Sequence, residues 1–443
     1  METKSATELL QGRVAEFDTA IYNVAEGVHV AMGYSVSPIT MVVGTTGVLI
    51  VDTGMDLEEG HKVAKAFKEI TPLPVVAMVY THGHGDHLGG ARAFVPEDTP
   101  AGAPAPFPVF ARDNFMAEAR QFEDVGLTIQ NKRGAKQAGF LLPRDKRICN
   151  GVAKVFYPKR KGSVFTKAGS GKVAASESVS EHMCLSLGGI DFELFPTAGE
   201  APDSMYIWVP ERKVLLTGDL FYKSWPHTYP IRGTMYRDVL GWVNSLTNML
   251  SLPFEVVVGG HTRPVTEGAR EVLTNYRDGV EHVFRSTIDC INKGMTPDEI
   301  VEVVSLPEHL QGLDYLRGYY GNLEWTIRGI FCGFLGWFDG NPTGMFPLRR
   351  IEHAKRMAGL AGGVDRLMTA CTEALAKKDF QWCSMLCDHL LVLSEGEDSL
   401  DRPSLQLMKS ECLEGLAVDT LTATGRNFYL TVAQDLRKSA KGE

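Results

Sequence analysis

The sequence predicts an α/β chain in two parts, an α+β region built on sheets followed by an all-α region. Three observations predict this. Short β-rich runs broken by Gly and Pro, with helical stretches between them, recur from residue 20 to residue 261. Several of those runs end in loops that carry His, Asp or Glu, the positions where sheet-based folds place chemistry. From about Val265 the apolar pattern takes the longer period of helices.

The elements follow in order. IYNVAEGVHVAMG and ITMVVGTTGVLIVDTG read as two or three antiparallel strands joined by GTTG-type turns. Leu57–Glu69 reads as a helix and Val75–Tyr80 as a strand, which together make an α/β unit. Residues 95–180 read as an excursion over the surface, with a Pro-rich loop, a helix over Asn114–Lys136 and a stretch of low hydrophobicity. Strand patterning returns at CLSLGGIDFELFPTAG, MYIWVPERKVLLTGD and FEVVVGGH. A long amphipathic helix is expected over Gly268–Gly294, and Thr296 is expected to cap the next one. After the break NPTGMFPLRR, residues 353–437 hold three to five helices. The expected domains are residues 1–265 and 266–443, with a softer break near 340–352.

Composition excludes several classes of function. Against 45 basic residues stand 54 acidic ones, a net charge of −9, so no basic footprint for nucleic acid is present. The N-terminus lacks the apolar core of a signal peptide, and no uncharged apolar run is long enough to span a membrane. The nearest candidate, Trp325–Phe338, is short and carries Arg328. Eight scattered Cys without a CxxC pair imply a reducing compartment, hence a cytoplasmic protein. Cys383 and Cys387, four apart on a helix, are expected to pack as small hydrophobes. AGSGKVA (168–174) departs from the phosphate-loop pattern GxxxxGK[ST] and reads as a surface loop.

The chemistry concentrates in Thr81-His82-Gly83-His84-Gly85-Asp86-His87-Leu88-Gly89-Gly90, directly after the strand at Val75–Tyr80. The glycines let a strand-end loop fold so that the imidazoles converge. Imidazole nitrogen with carboxylate oxygen is the ligand set of a borderline Lewis acid such as zinc. The set is too large for one tetrahedral ion with an open position and suits two ions a few Å apart.

THGHGDHLGG resembles the signature loop of the metallo-β-lactamase superfamily, and VDTG (Val51–Gly54) resembles its first motif. The resemblance implies an αββα sandwich, two sheets with helices outside. It gives Asp52 a supporting role behind the ligands and places the remaining ligands at Glu200, Asp219 and His261. Glu200 stands where most members carry His, which is similar to the alkyl-sulfatase branch (type III sulfatases). Later motifs agree: Tyr229–Gly233, Leu316–Gly321, Leu335–Pro342, and a tail similar to that branch's helical dimerisation domain. Two positions differ: Asp219 replaces a bridging Glu, and His227 replaces an Asn. Full-length members often continue into a sterol-carrier-like domain, which this sequence does not show.

The resemblance implies two Zn2+ per chain, with His82, His84 and Glu200 on one ion, Asp86, His87 and His261 on the other, and Asp219 shared. A bridging water would ionise near neutral pH. Arg232 is the first candidate to hold the sulfate oxygens bidentately. Tyr319, Tyr320 and His227 are expected to donate hydrogen bonds, with His227 also a candidate general acid. Trp337 and Phe338 are expected either to wall in an alkyl tail or to form the seam between domains. The expected partners are a small anionic ester and a second copy of the chain. The rival readings are another hydrolase on the same site (phosphodiesterase, lactonase, thioesterase or β-lactamase) and a non-catalytic helical scaffold.

Overall fold

The computed structural model describes residues 4–154, 171–396 and 399–443. The chain forms two compact units, one of residues 13–133 and 151–336, the other of residues 1–12, 134–150 and 337–443.

The first unit is a four-layer sandwich. Its larger sheet has seven strands in sequence order: β1 (Ala20–Ala25), β2 (Val28–Met32), β3 (Ile39–Val43), β4 (Val48–Val51), β5 (Val75–Val79), β6 (Val109–Arg112) and β7 (Glu177–Val179). The first four pair antiparallel, and β4 to β7 pair parallel. The smaller sheet runs in the order β12 (Val256–Gly259), β11 (Val214–Gly218), β10 (Met205–Val209), β9 (Ile190–Pro196), β8 (Met183–Leu187). Its pairs are antiparallel except β11 with β12.

Alternation along each strand builds the layers, because successive side chains point to opposite faces. Leu49, Val51, Ala77 and Val79 meet Met205, Ile207, Val209, Leu216 and Val258 in one apolar core between the sheets. Their neighbours Ile50, Met78 and Tyr80 pack outward on Val63 and Phe67 of the helix Leu57–Ile70. On the other sheet Tyr206, Trp208, Leu215 and Val257 pack outward on Trp242, Leu246, Leu273, Tyr276 and Val280. Those side chains come from the helices Val239–Leu250 and Ala269–Asn292.

The structure corrects the sequence reading at several places. The first two β-rich runs make four strands. Residues 95–180 are more than an excursion, because they contribute β6 and β7 to the large sheet. The helix expected over Asn114–Lys136 is two, Ala117–Asp124 and Ile129–Gln137, with Gly126 at φ +65° between them. The compact units do not divide at residue 265: the helices as far as Leu335 pack with the sandwich. The helix Pro297–Val303 carries the expected cap, a reciprocal box between Thr296 and Glu299. Of AGSGKVA, residues 168–170 lie outside the described residues.

The second unit is helical. Its core joins Ala354 and Ala358 of Arg350–Ala361 to residues of Val364–Ala376, Phe380–Leu393 and Arg402–Val418. Ala423–Ala440 follows, and its buried Asn427 donates to the carbonyls of Gln137 and Cys149. Trp337 is 76% exposed and Phe346 91% exposed.

Candidate metal centre

Each candidate ligand, and the supporting Asp52, sits past the C-terminal end of a strand. Asp52 follows β4, His82 and His84 follow β5, Glu200 lies in the loop after β9, Asp219 follows β11 and His261 follows β12. A single turn, Gly85–Leu88, carries Asp86 and His87. Gly218 has φ +55°, and a Cβ there would collide with the Thr81 side chain, so only glycine fits where β11 delivers Asp219.

Asp219 is the centre of the cluster. Its carboxylate lies 3.5 Å from His82 Nε2, 3.3 Å from His87 Nε2 and 3.3 Å from His261 Nε2. His82 Nε2 lies 2.9 Å from His84 Nδ1, and Asp86 Oδ2 lies 3.8 Å from His261 Nε2. Three groups each bring their ligand atoms within 4.8 Å of one another: His84, Glu200 and Asp219; His82, His87 and Asp219; Asp86, His87 and His261. All seven expected ligands therefore come together.

The opposite ring nitrogens are all held, which fixes which nitrogen faces inward. His87 Nδ1 donates to Asp52 Oδ2 at 2.7 Å, and His261 Nδ1 donates to the Val36 carbonyl at 3.0 Å. His82 Nδ1 contacts Thr81 Oγ1 at 3.0 Å, and that hydroxyl donates to Asp52 Oδ2 at 2.8 Å. His84 Nε2 lies 3.3 Å from Glu118 Oε2. Asp52 thus supports two imidazoles and also accepts from the Thr81 backbone N–H. It does so from φ +55°, a strained conformation for a non-glycine residue.

The inward atoms fit a metal. His87 Nε2, Asp219 Oδ1 and Glu200 Oε2 are buried without any hydrogen-bond partner, and such atoms are rare unless something satisfies them. Burial and neighbouring His87 drive His82 well below the usual imidazole range. His87 is held well above that range by Asp219, Asp52 and Asp86, although burial opposes its charge. Four imidazoles crowded on buried carboxylates cannot all carry protons, and a cation would take their place.

Beyond the ligands lies a cationic flank. Arg237, 4% exposed, donates to Glu200 Oε1 at 2.5 Å and to the His227 carbonyl at 2.6 Å. Arg232 lies 3.9 Å from Glu118 Oε1, which also accepts from Thr234 Oγ1 at 2.8 Å. Burial, with help from Arg237, lowers the Arg232 guanidinium from its ordinary value. His227 is 1% exposed, and neither ring nitrogen has a partner. Burial, then Arg237 and Arg232, pushes it well below the usual imidazole range. It is a neutral donor at neutral pH rather than a standing acid. The Tyr320 ring lies 4.3 Å from it, and burial and Glu200 hold the Tyr320 phenol protonated.

Tyr319 does not join the group. Its hydroxyl donates to Asp314 at 2.6 Å and its ring lies under the Arg13 guanidinium. Sequence reasoning missed Arg237 and Glu118. Arg237 lies five residues past Arg232, beside the helix N-cap Asp238. Glu118 is on the short helix Ala117–Asp124, far from any motif, and carries no signal in the sequence.

Comparison with known proteins agrees with this geometry. The Metallo-beta-lactamase superfamily model matches residues 33–261, and the Alkyl sulfatase dimerisation model matches residues 296–439. A linear primary-alkylsulfatase of a Pseudomonas species is 31% identical over 408 residues, covering 91% of this chain and 74% of that protein. An (R)-specific secondary-alkylsulfatase of Pseudomonas sp. is 30% identical, covering 94% and 62%. The solved structure of the stereoselective inverting sec-alkylsulfatase Pisa1 from Pseudomonas sp. superposes with a TM-score of 0.86 at 28% identity, covering 98% of this chain and 69% of that one. The chain belongs to the metallo-beta-lactamase superfamily and, within it, to the alkylsulfatases, which are sulfuric-ester hydrolases. It spans 74% of the first relative's length and less than two thirds of the second's.

Proposed function

We propose that this chain hydrolyses alkyl sulfate monoesters to alcohol and sulfate at the cluster centred on Asp219. The observation that carries the reading is the meeting of two groups of side chains. Seven ligand-type residues, three of them with unsatisfied inward atoms, stand beside one buried and one partly buried guanidinium and an unpartnered neutral imidazole. His82, His84 and Glu200 would hold one Zn2+, Asp86, His87 and His261 a second, with Asp219 shared. When bound, the pair of ions supplies a water ionised near neutral pH and a positive field for the ester.

The chain's own groups handle the substrate. Arg232 binds the sulfate oxygens through its planar fork. His227 donates a neutral N–H, and the protonated Tyr320 hydroxyl donates a second hydrogen bond. Arg237 neutralises Glu200 and anchors the backbone of His227, so it positions both without needing to touch substrate. The leaving sulfate is an anion, and this flank stabilises charge that develops on its oxygens.

We further propose a homodimer, joined through the exposed apolar stretch that carries Trp337, Met345, Phe346 and Leu348 within the helical unit. Its overlap with the matched dimerisation region supports this. Contiguous exposed apolar side chains mark interaction surfaces. A reducing, cytoplasmic setting fits eight cysteines that are all free. No helix among the described residues is long and apolar enough to cross a membrane.

The test is sulfate release from a series of short to long alkyl sulfates by zinc-loaded protein, with Asp219→Ala alongside. Release that peaks at one chain length and disappears in the variant is expected. No release from protein that holds its metal would end the sulfatase reading and move the search to phosphodiesters, lactones and thioesters.

A further inference from the structure

Four of the chain's eight cysteines converge in the core of the helical unit. Cys371 comes from the helix Val364–Ala376, Cys383 and Cys387 from Phe380–Leu393, and Cys412 from Arg402–Val418. All four are fully buried. Cys371 Sγ lies 3.6 Å from Cys383 Sγ and 3.4 Å from Cys387 Sγ. Cys412 packs in the same core as these three. On another side of Cys371, the thioether sulfur of Met408 lies 3.4 Å away.

Cys383 and Cys387 pack in the apolar core as expected, and their sulfurs also face that of Cys371. The spacing from i to i+4 puts both on one face of their helix, and Cys371 closes the triangle. Sulfurs about 2.3 Å from one cation stand about 3.8 Å apart in a tetrahedron. The observed 3.4 and 3.6 Å separations are a few tenths shorter, so little movement would admit an ion. A disulfide requires about 2.05 Å, and these thiols are free. Packing alone needs small apolar side chains here, which Ala would also provide. It does not need three sulfurs pointed at each other with a fourth thiol and a thioether beside them.

We propose that Cys371, Cys383 and Cys387, completed by Cys412 or Met408, bind one soft thiophilic cation, Cu+ or Zn2+. Thiolate and thioether donors select these ions over the oxygen-loving Mg2+, Ca2+ and Mn2+. The Met408 thioether favours Cu+, and Cys412 as fourth thiolate favours Zn2+. Binding would staple three helices of a unit whose core is otherwise built from Leu, Ala and these cysteines. The site is independent of the cluster at Asp219, which contains no sulfur ligand.

The full chain, reduced and free of metal, would be titrated anaerobically with Cu+ and separately with Zn2+, following the ultraviolet thiolate-to-metal band. We expect, for at least one of the ions, a saturating band of the intensity of about one thiolate-bound ion per chain, over and above any ion taken up without a band by the cluster at Asp219. It should survive in Cys184→Ser and be lost in the double variant Cys371→Ser/Cys387→Ser. Saturation by either ion supports the site, and a changed band in Met408→Leu or in Cys412→Ser names the completing donor. No band with either ion, or a band unchanged in the double variant, overturns the site. Should that variant fail to fold, X-ray absorption of the loaded wild-type protein decides. A shell of sulfur at about 2.3 Å supports the site, and a shell of nitrogen and oxygen only overturns it.

Discussion

Asp86, His87 and His261 are tied to the sandwich itself: His87 donates to Asp52 at the end of β4, and His261 donates to the Val36 carbonyl. Of the other three ligands only His82 shares that anchor, through Thr81 and Asp52. His84 leans on Glu118, and Glu200 leans on Arg237, and both supporting residues also face Arg232 or His227. One half of the cluster is thus braced by the fold, while the other is braced by residues that also contact the groups proposed to hold substrate. The difference teaches that changes on the cationic flank will disturb metal binding in one half only, whereas changes at Asp52 reach both.

Variants can break this contrast in order of expected effect. Asp219→Ala removes the carboxylate that contacts three imidazoles, and sulfate release should fall below detection with zinc content reduced from about two per chain. Metal analysis beside the activity assay checks it; retention of full activity would remove Asp219 from the centre of the account.

Arg237→Met leaves Glu200 buried without its guanidinium, where burial already pushes its carboxyl up. Loss of one partner from a buried pair destabilises by about 3–5 kcal/mol, so the chelator-treated variant should melt well below wild type. Zinc should recover much of the loss, because a cation near Glu200 replaces the guanidinium. An equal loss with and without zinc would mean that Glu200 does not face the metal.

Asp52→Asn weakens the support of His87 and His82 together. Loss of such a partner typically lowers metal affinity by about 10–100-fold. Glu118→Gln should do less, since it touches His84 alone, and should appear mainly in the weaker-held zinc. Competition with a chromophoric chelator reads both.

His227→Asn gives the smallest effect and a signed one. The folded protein holds this imidazole well below its unfolded value of about 6.5, chiefly through burial. The unfolded chain therefore binds the extra proton first. The stability is fully present above about pH 6.5 and is lost as pH falls below it, by about 1.4 kcal/mol per unit. Metal-free wild type should lose stability relative to His227→Asn over that acid range. A difference that is flat from pH 7 to 5 would contradict the burial of this ring.

Much of this site was legible because its residues are local or stand at strand ends. Three imidazoles and Asp86 lie within six positions, and TAGE, TGD and GGH each close a β-rich run. The sandwich layers came only with the resemblance carried by THGHGDHLGG and VDTG, because MYIWV and VLIV are apolar at every position and do not show which side chains face which layer. What stayed hidden depends on tertiary contact. Arg237 and Glu118 meet the ligands across more than thirty residues of sequence, and nothing in their neighbours marks them. Tyr319 and Tyr320 are equivalent as letters, yet consecutive side chains diverge, and only Tyr320 reaches His227. β6 and β7 were masked by the Pro-rich and polar segments that flank them, although both are short strands of a parallel edge.

The central claim is that sulfate-ester hydrolysis occurs through metal held at Asp219 and its six neighbours. The most direct measurement adds zinc back to chelated protein while following bound metal and sulfate release from one alkyl sulfate in the same samples. Activity should be absent without metal and rise to a plateau at about two zinc ions per chain. Sulfate release from metal-free protein, or none from protein that has bound both ions, would contradict it.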